Sequence, residues 1–195
     1  FHGLRVMAAD GVIFDVPDTA DNAAAFAKGG NEAGAGPFPQ VRLVGLAECG
    51  THAIVAASFD TRTVDERSLF GQLIDDFEPG TIVLCDRGFY SYELWRRAAA
   101  TGAQLLWRLK SDLTVPVLQV LPDGSYLSEL VPRIAKNNYR RGKTRRIPEH
   151  LRIPVRVIEY AVTNRDGKTD TITVMTTILD HTFASAHELA ALYQQ

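Results

Sequence analysis

The pattern of apolar and polar positions predicts a mixed α/β chain. Leu4 to Ala9 is a short apolar run that ends at Asp10-Gly11. The stretch from Asp18 to Gln40, rich in Ala, Gly and Pro, reads as a long loop with one helical turn around Asn22 to Ala27. Two strand-like runs follow, Val41 to Glu48 and His52 to Phe59, and the Cys49-Gly50-Thr51 turn between them predicts an antiparallel hairpin. Leu69, Phe70, Leu73, Ile74 and Phe77 recur at helical spacing after an Asp65-Glu66 start, and Pro79-Gly80 stops that helix. Thr81 to Cys85 is a strand of the buried type ending at Asp86-Arg87-Gly88. Tyr92 to Ala100 is a helix closed by Thr101-Gly102, and Ala103 to Leu109 is the next strand.

Beyond Lys110 the pattern changes to short strands with turns: Val115 to Leu121, the Pro122-Asp123-Gly124 turn, Arg152 to Thr163, the Arg165-Asp166-Gly167 turn, and Thr171 to Leu179. This reads as a β-rich insertion. A final helix starts near Ser185 and runs through Leu189 and Leu192 with no Gly or Pro to close it, so it reads as cut rather than finished. The expected organisation is therefore a first core part over 1–112, an insertion over 113–180, and the start of a last core helix over 181–195.

Composition narrows the class. With 195 residues, 46% hydrophobic and 23% charged, the chain is long enough for one packed domain, which excludes disorder. Two cysteines exclude a disulfide framework; Cys49 and Cys85 both lie in or beside apolar runs and are expected as buried thiols in a reducing compartment. No apolar run approaches the ~20 residues needed to cross a bilayer, and the first residues lack the sections of a signal peptide. A cytoplasmic protein without a membrane partner is the expectation. The chain begins with Phe1, which reads as a fragment.

The net charge of -2 conceals a division. Between Arg133 and Arg156 lie nine Lys or Arg against one acid, Glu149, a net of +8, while the rest carries 12 basic and 22 acidic residues. Such an asymmetry marks either a solvated loop or a nucleic-acid contact. Arg140, Arg141, Lys143, Arg145 and Arg146 are the densest part of that segment.

Two carboxylates stand out, Asp10 and Asp86, each at the end of a strand with Gly nearby. If the strands lie side by side, both acids reach one edge of the sheet, where oxygen donors suit Mg²⁺ and a metal pair suits phosphodiester chemistry. The competing reading is that both begin turns, as Asp before Gly commonly does. The five His lack ligand spacing and there is no Cys-x-x-Cys, which argues against zinc. Phosphate-loop and nucleophile-elbow motifs are also missing. Trp95 and Trp107 are expected in the core.

Four blocks in register resemble bacterial transposases of the insertion-sequence four family. Asp10-Gly11, Phe14-Asp15-Val16-Pro17-Asp18-Thr19 and Asn22 with Phe26 are similar to the first-aspartate block. Leu84-Cys85-Asp86-Arg87-Gly88-Phe89, an aromatic helix and Trp107-Arg108-Leu109-Lys110 are similar to the second. Thr176-Thr177-Ile178-Leu179-Asp180 and Glu188-Leu189-Ala190-Ala191-Leu192-Tyr193 resemble the strand and helix leading to the third acid.

The resemblance implies an RNase H-like mixed sheet with flanking helices, a β-rich insertion between the second and third acids, and Mg²⁺-dependent cleavage and joining of DNA, with Mn²⁺ as a substitute metal. Asp10 and Asp86 carry over as the first two metal-binding acids. Tyr193 carries over as the tyrosine of a Tyr-x-x-Arg-x-x-x-Glu pattern whose remaining groups fall beyond Gln195, so the fragment is expected to be deficient in catalysis. Arg108 and Lys110 become candidate phosphate contacts, Arg140, Arg141, Lys143, Arg145 and Arg146 candidate DNA-backbone contacts, and Arg87 a partner for a carboxylate. Val12 departs from the family's usual Thr, which leaves Asp15 as a secondary candidate for the first acid. The implied partners are transposon-end and target DNA and a second copy of the chain, in a nucleoid-associated protein. The alternatives are a non-catalytic DNA-binding remnant of a decayed transposase and an unrelated RNase H-like Mg²⁺-dependent nuclease.

Overall fold

The computed structural model describes residues 1–31, 34–110, 113–163 and 166–194. Its elements in chain order begin with β1 (Arg5–Asp15), α1 (Ala20–Ala25), β2 (Lys28–Asn31), β3 (Gly34–Glu48), β4 (Ile54–Thr61), α2 (Glu66–Leu73), β5 (Thr81–Cys85), α3 (Tyr92–Ala100) and β6 (Gln104–Arg108). They continue with β7 (Gln119–Val120), β8 (Tyr126–Leu130), α4 (Arg133–Arg140), β9 (Ile153–Thr163), β10 (Thr169–Thr176) and α5 (Ala186–Tyr193). All ten strands belong to one sheet, ordered β2-β3-β1-β5-β6-β10-β9-β8-β7, with β4 paired to β3.

Within it, β4-β3-β1-β5-β6 is the RNase H-like arrangement that the resemblance implies: β3 runs antiparallel to β1 and β4, while β5 and β6 run parallel to β1. The parallel strands need crossovers, and helices α2 and α3 supply them. β10 then adds antiparallel to β6 and carries β9, β8 and β7 on its other side.

Alternation along the strands divides the core into two layers. Met7 and Ala9 of β1, Val83 and Cys85 of β5, and Leu105 and Trp107 of β6 face α2 and α3, whose Leu69, Phe70, Leu73, Trp95 and Ala98 complete that layer. Trp95 and Trp107 are fully buried and meet edge to face at 5.1 Å, a geometry worth about 0.5–1.5 kcal/mol beyond area burial. Leu4, just before β1, Val6 of β1, Ile82 and Leu84 of β5, and Leu106 of β6 face the other way, onto Leu189, Ala190 and Leu192 of α5.

The hairpin, the helix after Asp65, strand β5 and helix α3 stand where the sequence predicts them. Other elements differ. β1 does not end at Asp10 but continues to Asp15, because β3 pairs it from Met7↔Glu48 to Asp15↔Gln40. The region read as a loop from Asp18 to Gln40 holds α1, β2 and the first part of β3; cross-strand pairing outweighs the weak strand preference of its Gly and Pro residues.

The strand expected over Val115 to Leu121 shrinks to Gln119–Val120, and β8 was not expected at all. One of its inward positions is Ser128, whose hydroxyl donates to the Pro116 carbonyl at 2.6 Å, so the apolar signal of the alternation is missing. β10 ends at Thr176 rather than Leu179, and Cys49 is exposed while Cys85 is buried. Of the Arg165-Asp166-Gly167 turn, Arg165 lies outside the described residues.

Candidate active site

The parallel pairing of β1 with β5 runs from Arg5↔Thr81 to Ala9↔Cys85, so the next residues on each strand, Asp10 and Asp86, stand side by side where that pairing stops. This corrects the expected position of Asp10 in one respect: it lies within a strand still held by β3, which fixes its backbone more firmly than a turn would. Both acids are exposed. By the two-residue alternation Asp10 shares the face of Leu4 and Val6, the face covered by α5. Asp10 Oδ1 accepts a hydrogen bond from the Gly11 amide at 2.8 Å. Asp15 lies at the far end of β1, where its Oδ1 accepts from Gln40 Nε2 at 2.8 Å, and so stands apart from Asp86.

Three further groups gather at the second acid. Arg108, the last residue of β6, brings Nη1 to 3.7 Å from Asp86 Oδ1. The residue expected to pair with a carboxylate was Arg87, which is exposed and makes no ion pair among the described residues; parallel pairing of β5 with β6 gives that position to Arg108 instead. Lys110 follows two residues beyond β6, half-buried. Tyr193, at the end of α5, donates its hydroxyl proton to the Cys85 carbonyl at 3.1 Å. Burial and the neighbouring Asp86 charge push its phenol well above the ordinary tyrosine range, so it stays a donor. Helix α5 reaches this point because Ser185 caps it in a reciprocal capping box with Glu188 and its apolar side chains pack on β5 and β6.

Glu66 is a neighbour that sequence reasoning treated only as a helix start. A Cβ on Gly11 would lie 2.1 Å from Glu66 Oε1, and one on Gly88 3.7 Å from Oε2. The carboxylate therefore spans the two segments that carry Asp10 and Asp86, approaching from the α2 side. The two glycines were the available signal: each leaves room for a group from elsewhere in the fold.

The donor set suits a hard divalent cation, since the acids placed together offer carboxylate oxygens. Among the described residues no group of three His, Cys, Asp or Glu side chains converges as a metal cluster, so Asp10 and Asp86 form an open pair of carboxylates rather than part of a closed cage.

The basic segment divides on inspection. Arg156, on β9, is fully buried, and Arg152 is paired with Glu129 and Glu149, so neither is a free surface cation. Arg140, Arg141, Lys143, Arg145 and Arg146 are exposed and form no ion pair among the described residues. They follow from the end of α4, a helix that sequence reading missed because its Arg-Ile-Ala-Lys-Asn-Asn-Tyr-Arg run is mostly polar and buries no residue; Ile134, on its less polar side, is 76% exposed. Gly142, at φ 69°, ends it in a Schellman motif, with the Gly142 amide on the Tyr139 carbonyl and the Lys143 amide on that of Asn138. The cations thus gather at the helix C-terminus, where the macrodipole favours positive charge.

Comparison with known proteins adds the relationship. The chain matches the family described as transposase DDE domain over residues 1–195. It is 32% identical over 130 residues to the transposase InsG for insertion sequence element IS4 of Escherichia coli (strain K12), a match covering 66% of this chain and 29% of that protein. Among solved structures, a piggyBac transposase synaptic complex with hairpin DNA aligns with 90% of this chain and 34% of its own, at 10% identity and a TM-score of 0.46. Endonuclease V from Streptomyces avermitilis aligns with 96% and 72%, at 17% identity and a TM-score of 0.34. The chain spans about a third of the length of the transposases it matches. With the match running from its first residue to its last, the chain belongs to the transposase DDE domain family.

Proposed function

We propose that this chain is the central catalytic part of an insertion-sequence transposase that cleaves DNA at the element's ends and joins the freed ends to target DNA. The observation that carries the reading is the side-by-side placement of Asp10 and Asp86 at the open end of a parallel strand pair, in a chain of this family. In this reading Asp10 and Asp86 hold Mg²⁺, with Mn²⁺ as substitute. The bound cation supplies Lewis acidity to the phosphodiester and lowers the pKa of an attacking oxygen. Arg108, beside Asp86, and Lys110 neutralise phosphate oxygens near the acids. Tyr193 fixes the end of α5 against β5, setting the line along which further residues of that helix face the acids.

Arg140, Arg141, Lys143, Arg145 and Arg146 hold the DNA backbone. Their contribution is sequence-independent and salt-sensitive, because each neutralised phosphate releases counterions. The whole enzyme acts as a homodimer on DNA in a bacterial cytoplasm, associated with the nucleoid. With two acids of a triad among its residues, the 195-residue chain by itself is deficient in cleavage.

The test is cleavage and strand transfer by a protein extended to the length of its relatives, on insertion-sequence-end duplexes in Mg²⁺. Asp10→Asn and Asp86→Asn should each abolish both reactions while DNA binding persists. Full activity in either variant would refute the assignment. Cleavage without joining of pre-cleaved ends would point to a nuclease, and binding without either reaction by the unsubstituted protein to a remnant.

A further inference from the structure

Arg156 is the one fully buried charged residue among the described residues, and all its bonds leave its own strand. Nε donates to Ser125 Oγ at 2.8 Å, Nη1 donates to the Ala184 carbonyl at 2.7 Å and the Asp180 carbonyl at 3.4 Å, and Nη2 pairs with Asp123 Oδ2. The same Asp123 Oδ2 accepts the amide of Ala186, the first residue of α5, at 2.8 Å, and Oδ1 accepts from the Ser125 amide and hydroxyl. The guanidinium and the carboxylate thus tie the turn between β7 and β8 to the entrance of α5. At its other end α5 is tied to Cys85, next to Asp86, through Tyr193. Between these ties the helix is one rigid segment of eight residues packed on the sheet.

A buried ion pair is expensive to desolvate and contributes little net stability compared with an apolar replacement, so stability alone does not account for it. What it supplies is a fixed geometry: four directed bonds that an apolar contact would leave free to slide. We propose that Arg156 and Asp123 are positioning residues that set the placement of α5, and through it of Tyr193, against the strand bearing Asp86, so that the β-rich segment is coupled to the site. The proposal gives the proposed function a further part, and rests on that reading only for the site's chemical role; the coupling itself is a property of this chain.

The experiment uses the 195-residue chain labelled with 3-fluorotyrosine, its six tyrosine resonances assigned by single Tyr→Phe replacements, together with hydrogen exchange. Asp123→Asn keeps the side chain's shape and removes its charge, and Arg156→Lys keeps the charge and removes the fork. Glu129→Gln breaks the nearby Arg152 pair and serves as the control for general loosening of the segment. The expected result is a displaced or broadened Tyr193 resonance and about tenfold faster exchange in α5 for both clamp variants, the loss expected of a charge-assisted bond. Tyr90 and the β5 amides should stay unchanged, and Glu129→Gln should leave Tyr193 where it is. An unmoved Tyr193 in both clamp variants would overturn the coupling, and so would an equal displacement in Glu129→Gln or a shift of every tyrosine together. None of these outcomes depends on transposition. Loss of cleavage on Asp86→Asn tests the function separately.

Discussion

Gly11→Ala tests the approach of Glu66 to the paired acids. Gly11 does not adopt a left-handed backbone conformation, so alanine is compatible with the chain there and should stabilise by about 0.5–1 kcal/mol through reduced freedom of the unfolded state. Against this, the new Cβ would stand 2.1 Å from Glu66 Oε1, 3.0 Å from Cδ and 3.3 Å from Cγ, so the whole carboxyl end must swing away. Glu66 has no hydrogen-bond or ion-pair partner among the described residues, and its departure costs only packing and a strained rotamer, about 0.5–1.5 kcal/mol. The two effects nearly cancel, leaving Gly11→Ala within about 1 kcal/mol of the parent.

In a Glu66→Ala background the clash is gone and the full backbone gain should appear. The cycle of four proteins should therefore show a coupling of about 0.5–1.5 kcal/mol. The effect of removing an acid from the first turn of α2 is common to both Glu66→Ala proteins and cancels. Urea titrations monitored by fluorescence of the buried tryptophans measure it. Additivity within about 0.3 kcal/mol would refute the placement of Glu66 against Gly11.

Tyr193→Phe removes the hydroxyl that binds the Cys85 carbonyl and should cost about 0.5–1.5 kcal/mol in the same titration. Because the Tyr193 pKa is raised on folding, its contribution is complete below the ordinary phenol value of about 10 and is lost as pH rises toward the folded value, so the parent but not the Phe variant should weaken from this source in alkali. Asp123 shifts the opposite way: burial opposes its charge, but hydrogen bonds from Ser125 and Ala186 and the Arg156 charge outweigh it and lower its pKa. The stability advantage of the parent over Asp123→Asn should therefore be constant above about pH 4–5 and shrink as pH falls through the lowered value, as followed by thermal melts across acid pH. Replacing Arg140, Arg141, Lys143, Arg145 and Arg146 with Gln should flatten the log-log salt dependence of DNA affinity by up to about 0.9 per lost phosphate contact; an unchanged slope would remove the segment from the DNA interface.

Where local pattern and tertiary context agreed, the sequence was readable. Thr81 to Cys85 is apolar at every position after Thr81 and bounded by Pro79-Gly80 and Asp86-Arg87-Gly88, and β5 has those bounds in the structure. The neighbourhood of Asp10 and Asp86 was legible as a condition, namely that their strands lie side by side, and the register fulfils it. Contacts between distant segments were not legible. Nothing near Gly11 announces Glu66, and nothing near Arg156 distinguishes a buried clamp from the exposed cations before it. Charge counts treat Arg156 and Arg146 alike; only the fold separates them. Helix α4 escaped because it is mostly polar and buries none of its residues, and β8 because Ser128 occupies an inward position.

The double pairing of β10 has a consequence for how the chain comes into being. Its Val174 to Thr176 bond to β6, and the same residues bond to Ile158, Val157 and Arg156 of β9. On a ribosome the strands from β1 to β6 emerge first, and the free edge of β6, with Leu105, Leu106 and Trp107, has no partner until β10 arrives after the whole intervening segment. The segment cannot be excised as a cassette without stripping β10 of one neighbour. Its exchange for a longer or shorter one is constrained at β9 and again at the turn of Asp123 and Ser125, which bonds to Arg156 and to the start of α5. Closing the sheet is thus a late event in synthesis, and the interval before it is when the nascent chain is most exposed to pairing with the wrong edge.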